Sequence, residues 1–151
     1  MIKVNVEINN KSWLKKIKQP KKYFSKKLKK VSKIVKFFKN KDITFTILLT
    51  NSSNMKKLNK KFRRSNKSTD ILSFPTFSPK NLKVIKEKKF YIGDLAASYE
   101  IIQSRAKKNN FFKEFDKVWV HGLLHLIGYD HIRNIDYYKM LKIEKRILNL
   151  I

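Results

Sequence analysis

The chain has 151 residues, 42% of them hydrophobic, with no cysteine and a formal net charge of +26. That length fits one domain, taken as residues 1–151, with enough apolar residues for a core, and the missing cysteines exclude disulfides and thiolate ligands, leaving imidazoles and carboxylates for any metal. No apolar run approaches the roughly 20 residues of a membrane span, and the N-terminal MIKVNVEINN alternates like a strand where a signal peptide carries an apolar block, so a cytoplasmic protein without a membrane partner is expected.

The charge favours a polyanionic partner, because Lys and Arg neutralise phosphates and release counterions. Lys far outnumbers Arg, however, and the three Gly and three Pro accompany many Asn, Ile and Phe, as in an A+T-biased coding sequence. The charge therefore permits RNA binding and is weak evidence for it.

In chain order, Ile2, Val4, Val6 and Ile8 alternate with polar residues, which predicts a first strand over Met1 to Ile8. Asn9 to Gln19 reads as a connection with a short helical turn anchored by Trp13. Pro20 suits the first turn of a helix, and Phe24, Leu28, Val31, Val35 and Phe38 recur at +4, +3, +4, +3, one amphipathic stripe ending near Phe38. Its outer face is almost all Lys, either an RNA-facing surface or a solvated face. Ile43 to Leu49 is a buried strand. Asn51 or Ser52 caps a helix to about Arg63 with Met55, Leu58 and Phe62 inside. Strand–helix–strand order implies parallel pairing through right-handed crossovers.

Ser65 to Ser68 is a polar loop, and Thr69 to Phe77 a third strand that Pro75 assigns to an edge. Ser78 to Lys89 reads as a long basic loop. Phe90 to Ala97 is a fourth strand, antiparallel to the third. Tyr99 to Lys107 is a helix interrupted at Asn109 and Asn110. Phe111 to Ile127 is a helix apolar over most of its surface, expected to be central and buried, and Ile135 to Leu150 is a last helix. The fold class is α+β: a small four-stranded mixed sheet packed with about five helices.

All three histidines fall in Val118 to His131, VWVHGLLHLIGYDH. His121 and His125 are four apart and so stack on one helix face. Gly128 tolerates the positive φ that ends a helix, and a turn there folds His131 back toward the other two. Three imidazoles with a fourth position open is the pattern of a catalytic zinc site. Neutral imidazoles would bind one Zn2+ per chain, each with an acceptor for its other ring nitrogen, and the ion would lower the pKa of bound water toward about 7. Nickel, copper and iron suit the same ligands. The spacing is also that of metzincin proteases, which carry a glutamate base directly after the first His. Here that residue is Gly122, which argues against peptide hydrolysis.

HGLLHLIGYDH resembles the signature of the YbeY family of bacterial endoribonucleases. Two further segments in the family's order support the resemblance: LNKKFRRSNKSTDILSFP, Leu58 to Pro75, and the less specific YIGDLAAS, Tyr91 to Ser98. The resemblance implies cleavage of single-stranded RNA, maturation of the 3′ end of 16S rRNA, late-stage 70S ribosome quality control, and the ribosome or its small subunit as partner. It places Arg63 at the family's LN-x2-aromatic-R arginine. A guanidinium fork there would hold the scissile phosphate and stabilise transition-state charge, or with Arg64 form only a basic patch. Asp130 is either a general base, a partner of the ligands, or a cap for the turn. Asp70 and Asp94 read as structural. Ser73 and Thr69 hydrogen-bond either RNA or backbone. Trp119 and Tyr129 are candidates for base stacking, with Trp119 better suited to the core. Ser68 stands where the family commonly has Pro, and Phe62 where Tyr or Trp is common; both bear on loop stiffness and packing. The rivals are a metallopeptidase-like hydrolase, with Asp130 replacing the missing glutamate, and a non-catalytic, metal-braced ribosome assembly factor.

Overall fold

The computed structural model describes residues 1–106 and 110–151. Its sheet has the order β1-β2-β4-β3, with β1 (Ile2–Ile8), β2 (Asp42–Thr50) and β4 (Lys89–Ser98) parallel, and β3 (Ile71–Pro75) antiparallel at one edge. The alternation in β1 and the apolar run in β2 thus paired as expected. Pro75 lies opposite Gly93 on the edge strand, where a missing backbone N–H costs no ladder bond. Gly93 itself has φ +134°, and a Cβ there would lie 2.2 Å from the Phe74 carbonyl oxygen, so only glycine lets β3 and β4 approach.

Seven α-helices occur among the described residues, two more than the long periodic stretches indicated. The first addition is α1 (Ser12–Lys16), the turn expected around Trp13, whose buried indole N–H donates to the Thr50 carbonyl at 2.9 Å. The second, α4 (Pro79–Val84), replaces part of the stretch read as a basic loop. Its start signal was local: the Ser78 hydroxyl accepts from Asn81 N–H at 3.3 Å and Pro79 occupies the first turn.

The long helix α2 (Pro20–Ile34) stops four residues before Phe38. The apolar stripe continues through buried Val35 and Phe38, but Lys36–Phe38 forms a single 3-10 turn. At α3 (Ser52–Arg63) the Asn51 side chain accepts from Asn54 N–H at 2.8 Å, as its capping position predicts. Next comes α5 (Tyr99–Arg105); Lys107 and Asn109, the expected helix end and break, lie outside the described residues. Asn110 caps α6 (Phe111–Leu126), accepting from Phe112 N–H at 2.8 Å. The last helix is α7 (Asn134–Leu148).

Helix α6 is the buried centre. It packs on β3 and β4 with one face and against α5 and α7 with others. Trp119, Val120, Leu123, Leu124 and Leu126 are all within 1% of full burial, and each such side chain contributes about 1.5–3 kcal/mol by leaving water. Near its N-terminal end Asp116 ties α6 to α2. Its carboxylate accepts from Tyr23 Oη at 2.6 Å, Lys27 Nζ at 2.5 Å and Trp119 Nε1 at 2.8 Å. Burial first, and then the adjacent carboxylate, push the Tyr23 phenol well above its ordinary pKa.

Candidate metal centre

The C-terminal half of α6 carries His121 and His125 on the same face, their Nε2 atoms 3.1 Å apart. The helix ends at Leu126, and Gly128, two residues on, has φ +86°. Gly128 N–H donates to the His125 carbonyl at 3.0 Å and Tyr129 N–H to the Leu124 carbonyl at 3.0 Å, which closes the last turn by a left-handed residue. The chain then doubles back, and His131 joins the pair. The three candidate donor atoms all lie within 4.8 Å of one another. His121 and His125 are half-buried and His131 is exposed, so the cluster opens toward solvent on one side.

Two acceptors orient the rings. His125 Nδ1 lies 2.9 Å from the Tyr129 carbonyl, the direction in which an Nδ1–H donates. His121 Nδ1 lies 3.5 Å from Glu144 Oε2 on α7. With the proton on Nδ1 in both rings, each would present an Nε2 lone pair to the cluster, the second-nitrogen bracing that imidazole ligands require. Burial, and then the neighbouring His121, hold His125 below its ordinary pKa, which favours the neutral, metal-binding form. Three converging nitrogen donors fit a divalent transition metal.

The cluster forms part of the wall of a cleft of about 850 Å³ between β3, α6 and the Gly128–Ile132 loop. Arg63, at the end of α3, lines it too, and donates from Nη2 to the Ser73 carbonyl at 3.1 Å. Arg64 does not line the cleft; it caps α3 in the left-handed conformation, φ 54°. The cleft's other arginine and its lysine are both compensated: Arg105 is paired with Asp70, and Lys117 lies 3.8 Å from Glu114. Among the described residues, Arg63 has no carboxylate partner, so its charge is available to an anion.

The remaining predicted residues divide cleanly. Asp130 lines the cleft and caps the turn, accepting His131 N–H at 2.7 Å. Ser73 donates from Oγ to the Gly122 carbonyl at 3.2 Å, and Thr69 to Asp70, so both serve the protein's own groups. Asp70 also accepts Ile71 N–H at 2.8 Å, and Asp94 accepts from Tyr91 Oη at 2.5 Å. Trp119 is core. Tyr129 lines the cleft, half-buried; Phe62, expected on the inner stripe of α3, is instead 56% exposed, because it sits in the last turn of the helix and meets the sheet only edge-on at Phe74, 5.2 Å between centroids. Glu144 escaped the sequence reading: it sits 23 positions from His121 in an ordinary amphipathic helix, and only the need of each imidazole for an acceptor pointed to a group of its kind.

Gly122, where a metzincin has its glutamate, faces β3. A Cβ there would lie 3.0 Å from Ile71 Cγ1, 3.0 Å from Leu95 Cδ2 and 3.2 Å from Ser73 Oγ. Even a methyl group there would press on these side chains, and a carboxylate would point into the packed strand–helix contact and away from the histidines.

Three imidazoles at an open cleft beside an uncompensated guanidinium make a candidate metallohydrolase centre for an anionic substrate. The family model described as endoribonuclease YbeY matches residues 7–151, and the chain belongs to that family. It is 44% identical to an endoribonuclease YbeY of Pelagibacter ubique, over 100% of this chain and 97% of the relative. An endoribonuclease YbeY of Caldicellulosiruptor bescii is 36% identical over 78% of this chain and 79% of its own. The solution structure of TM1509 from Thermotoga maritima superposes with a TM-score of 0.63 at 26% identity, covering 99% of this chain and 87% of that one.

Proposed function

We propose that this chain is a zinc-dependent endoribonuclease, a single cytoplasmic domain that cleaves single-stranded RNA and acts on the ribosome. The substrate we infer is the 3′ end of 16S rRNA, with a further role in late-stage 70S quality control. Family membership supports the nuclease activity and its RNA substrate. The observation that carries the site is the convergence of His121, His125 and His131 beside Arg63 in one cleft.

In this reading the three histidines hold one zinc ion. When bound, it supplies Lewis acidity at a phosphoryl oxygen and lowers the pKa of water. Arg63 grips the scissile phosphate bidentately, with the Ser73 carbonyl fixing the guanidinium plane. Asp130 holds the His131 turn through Oδ1 and is the residue placed to accept a proton through its other oxygen. Glu144 and the Tyr129 carbonyl keep two imidazoles in the donor tautomer. Lysine-rich surfaces supply sequence-independent affinity, so RNA binding falls steeply as salt rises.

The test is cleavage of a defined single-stranded RNA by wild type and His125→Ala, purified in parallel with metal content assayed. Wild type with about one zinc per chain that cuts, beside a variant lacking both, is the expected result. Equal cutting by both removes the site from the chemistry. A wild type that holds metal but leaves RNA intact, alone and with ribosomes, favours a non-catalytic assembly factor.

A further inference from the structure

At the opposite edge of the sheet from the cleft, β1 pairs with no strand on its outer side among the described residues. The Met1 carbonyl accepts from Ile43 N–H at 2.8 Å, and Asn9 N–H donates to the Leu49 carbonyl at 3.2 Å. In a parallel pair, alternate residues turn both backbone groups to the same partner. Odd-numbered residues of β1 therefore face β2, and Ile2, Val4, Val6 and Ile8 direct their N–H and C=O groups outward. An edge strand of seven residues with four such donors and four acceptors is a template for another strand.

Beside that edge runs a groove of about 710 Å³ between β1 and α2. Ile2, Val4 and Leu28 supply its apolar surface, and Lys3, Lys21, Lys22 and Lys29 line it, with no carboxylate among the lining residues. We propose that this groove docks an extended acidic polypeptide segment, which adds a strand to β1 and places carboxylates among these lysines. The backbone ladder selects a peptide, since a nucleic acid has no alternating N–H and C=O groups to match it. The lysines select the charge. A second copy of this chain would bring its own lysines and a formal +26 to the same place, so like-charge repulsion opposes self-pairing. The docking surface is independent of the nuclease reading, because it uses none of the cleft residues.

The test uses the 15N-labelled full chain and a capped peptide of alternating Glu and Val. Shifts confined to β1 and the facing side of α2, with slowed exchange of the Ile2, Val4 and Val6 amides, are expected. A Lys21→Glu/Lys22→Glu variant, shown to be folded by its amide spectrum, should bind at least about tenfold more weakly. Val4→Pro removes one outward donor at an edge position that tolerates proline and should also weaken binding. The proposal is overturned if millimolar peptide leaves these amides unmoved, if a Lys–Val peptide binds as well, if single-stranded RNA shifts the same amides, or if the chain instead dimerises through β1.

Discussion

Helix α6 carries two polar clusters little more than one turn apart, and they are built in opposite ways. At Asp116 every strong hydrogen-bonding demand is met internally, by Tyr23, Lys27 and Trp119, and the residue is 8% exposed. At His121 and His125 the outer nitrogens are braced while the inner ones face one another and an open cleft. A buried polar cluster that is saturated holds helices together; one that is left unsaturated by its own scaffold is prepared for something else. The buried face of the helix, with Phe115, Val118, Leu123 and Leu126 packed into the core, serves both clusters.

Exchanging the damage between the two clusters is the strongest way to break this contrast. Asp116→Ala strands a lysine, a phenol and an indole N–H at the α2–α6 contact and should cost about 3–5 kcal/mol in urea unfolding. His125→Ala should change the unfolding of metal-free protein by less than about 1 kcal/mol, while abolishing metal uptake. Equal losses from both would mean that the histidines are structural. Gly122→Ala comes next: overpacking against Ile71 and Leu95 should cost about 1–3 kcal/mol and lower RNA cleavage by shifting α6 on β3. Glu144→Gln leaves the packing of α7 intact, and should weaken zinc binding by about 10- to 100-fold in a competition titration. Unchanged affinity would make Glu144 a bystander.

The smallest effect is on pH. The folded-state pKa of His125 is lowered, so the unfolded chain takes up the proton first as the solution is acidified. Metal-free protein should lose stability as pH falls through the unfolded value of about 6.5, and gain nothing further well above it. His125→Ala should flatten that slope in unfolding curves. A slope of the opposite sign would mean that the proton is stabilised in the fold.

What was legible in the sequence is what depends on near neighbours. The i, i+4 histidines, Gly128, the Asn51 cap and the edge-strand Pro75 each act through one or two turns of chain, and each behaves as its chemistry requires. The Asp116 cluster joins residues 93 and 89 positions apart, and nothing local marks Tyr23 or Lys27 as its partners on a lysine-rich helix. Glu144, 23 positions from His121, is nearer in the chain but still beyond any local pattern. Arg63 was identifiable from its motif, yet its distinction from Arg105 and Lys117 lies in which cations have acidic neighbours, a property of the assembled cleft. The short helix α4 was a different failure: Ser78–Pro79 signalled a start, but six residues with one buried leucine gave no period to read.

Gly122 also has a mechanical consequence. The guanidinium of Arg63 rests on the Ser73 carbonyl, and from Ser73 a single short hydroxyl side chain reaches the Gly122 carbonyl in the turn that bears His121. Strand and helix are in effect two jaws of a caliper, and the missing methyl group at Gly122 sets its gauge against Ile71, Leu95 and Ser73. A load on one jaw is passed stiffly to the other, so a substitution that widens the gauge displaces the two halves of the cleft together with no chemical group lost.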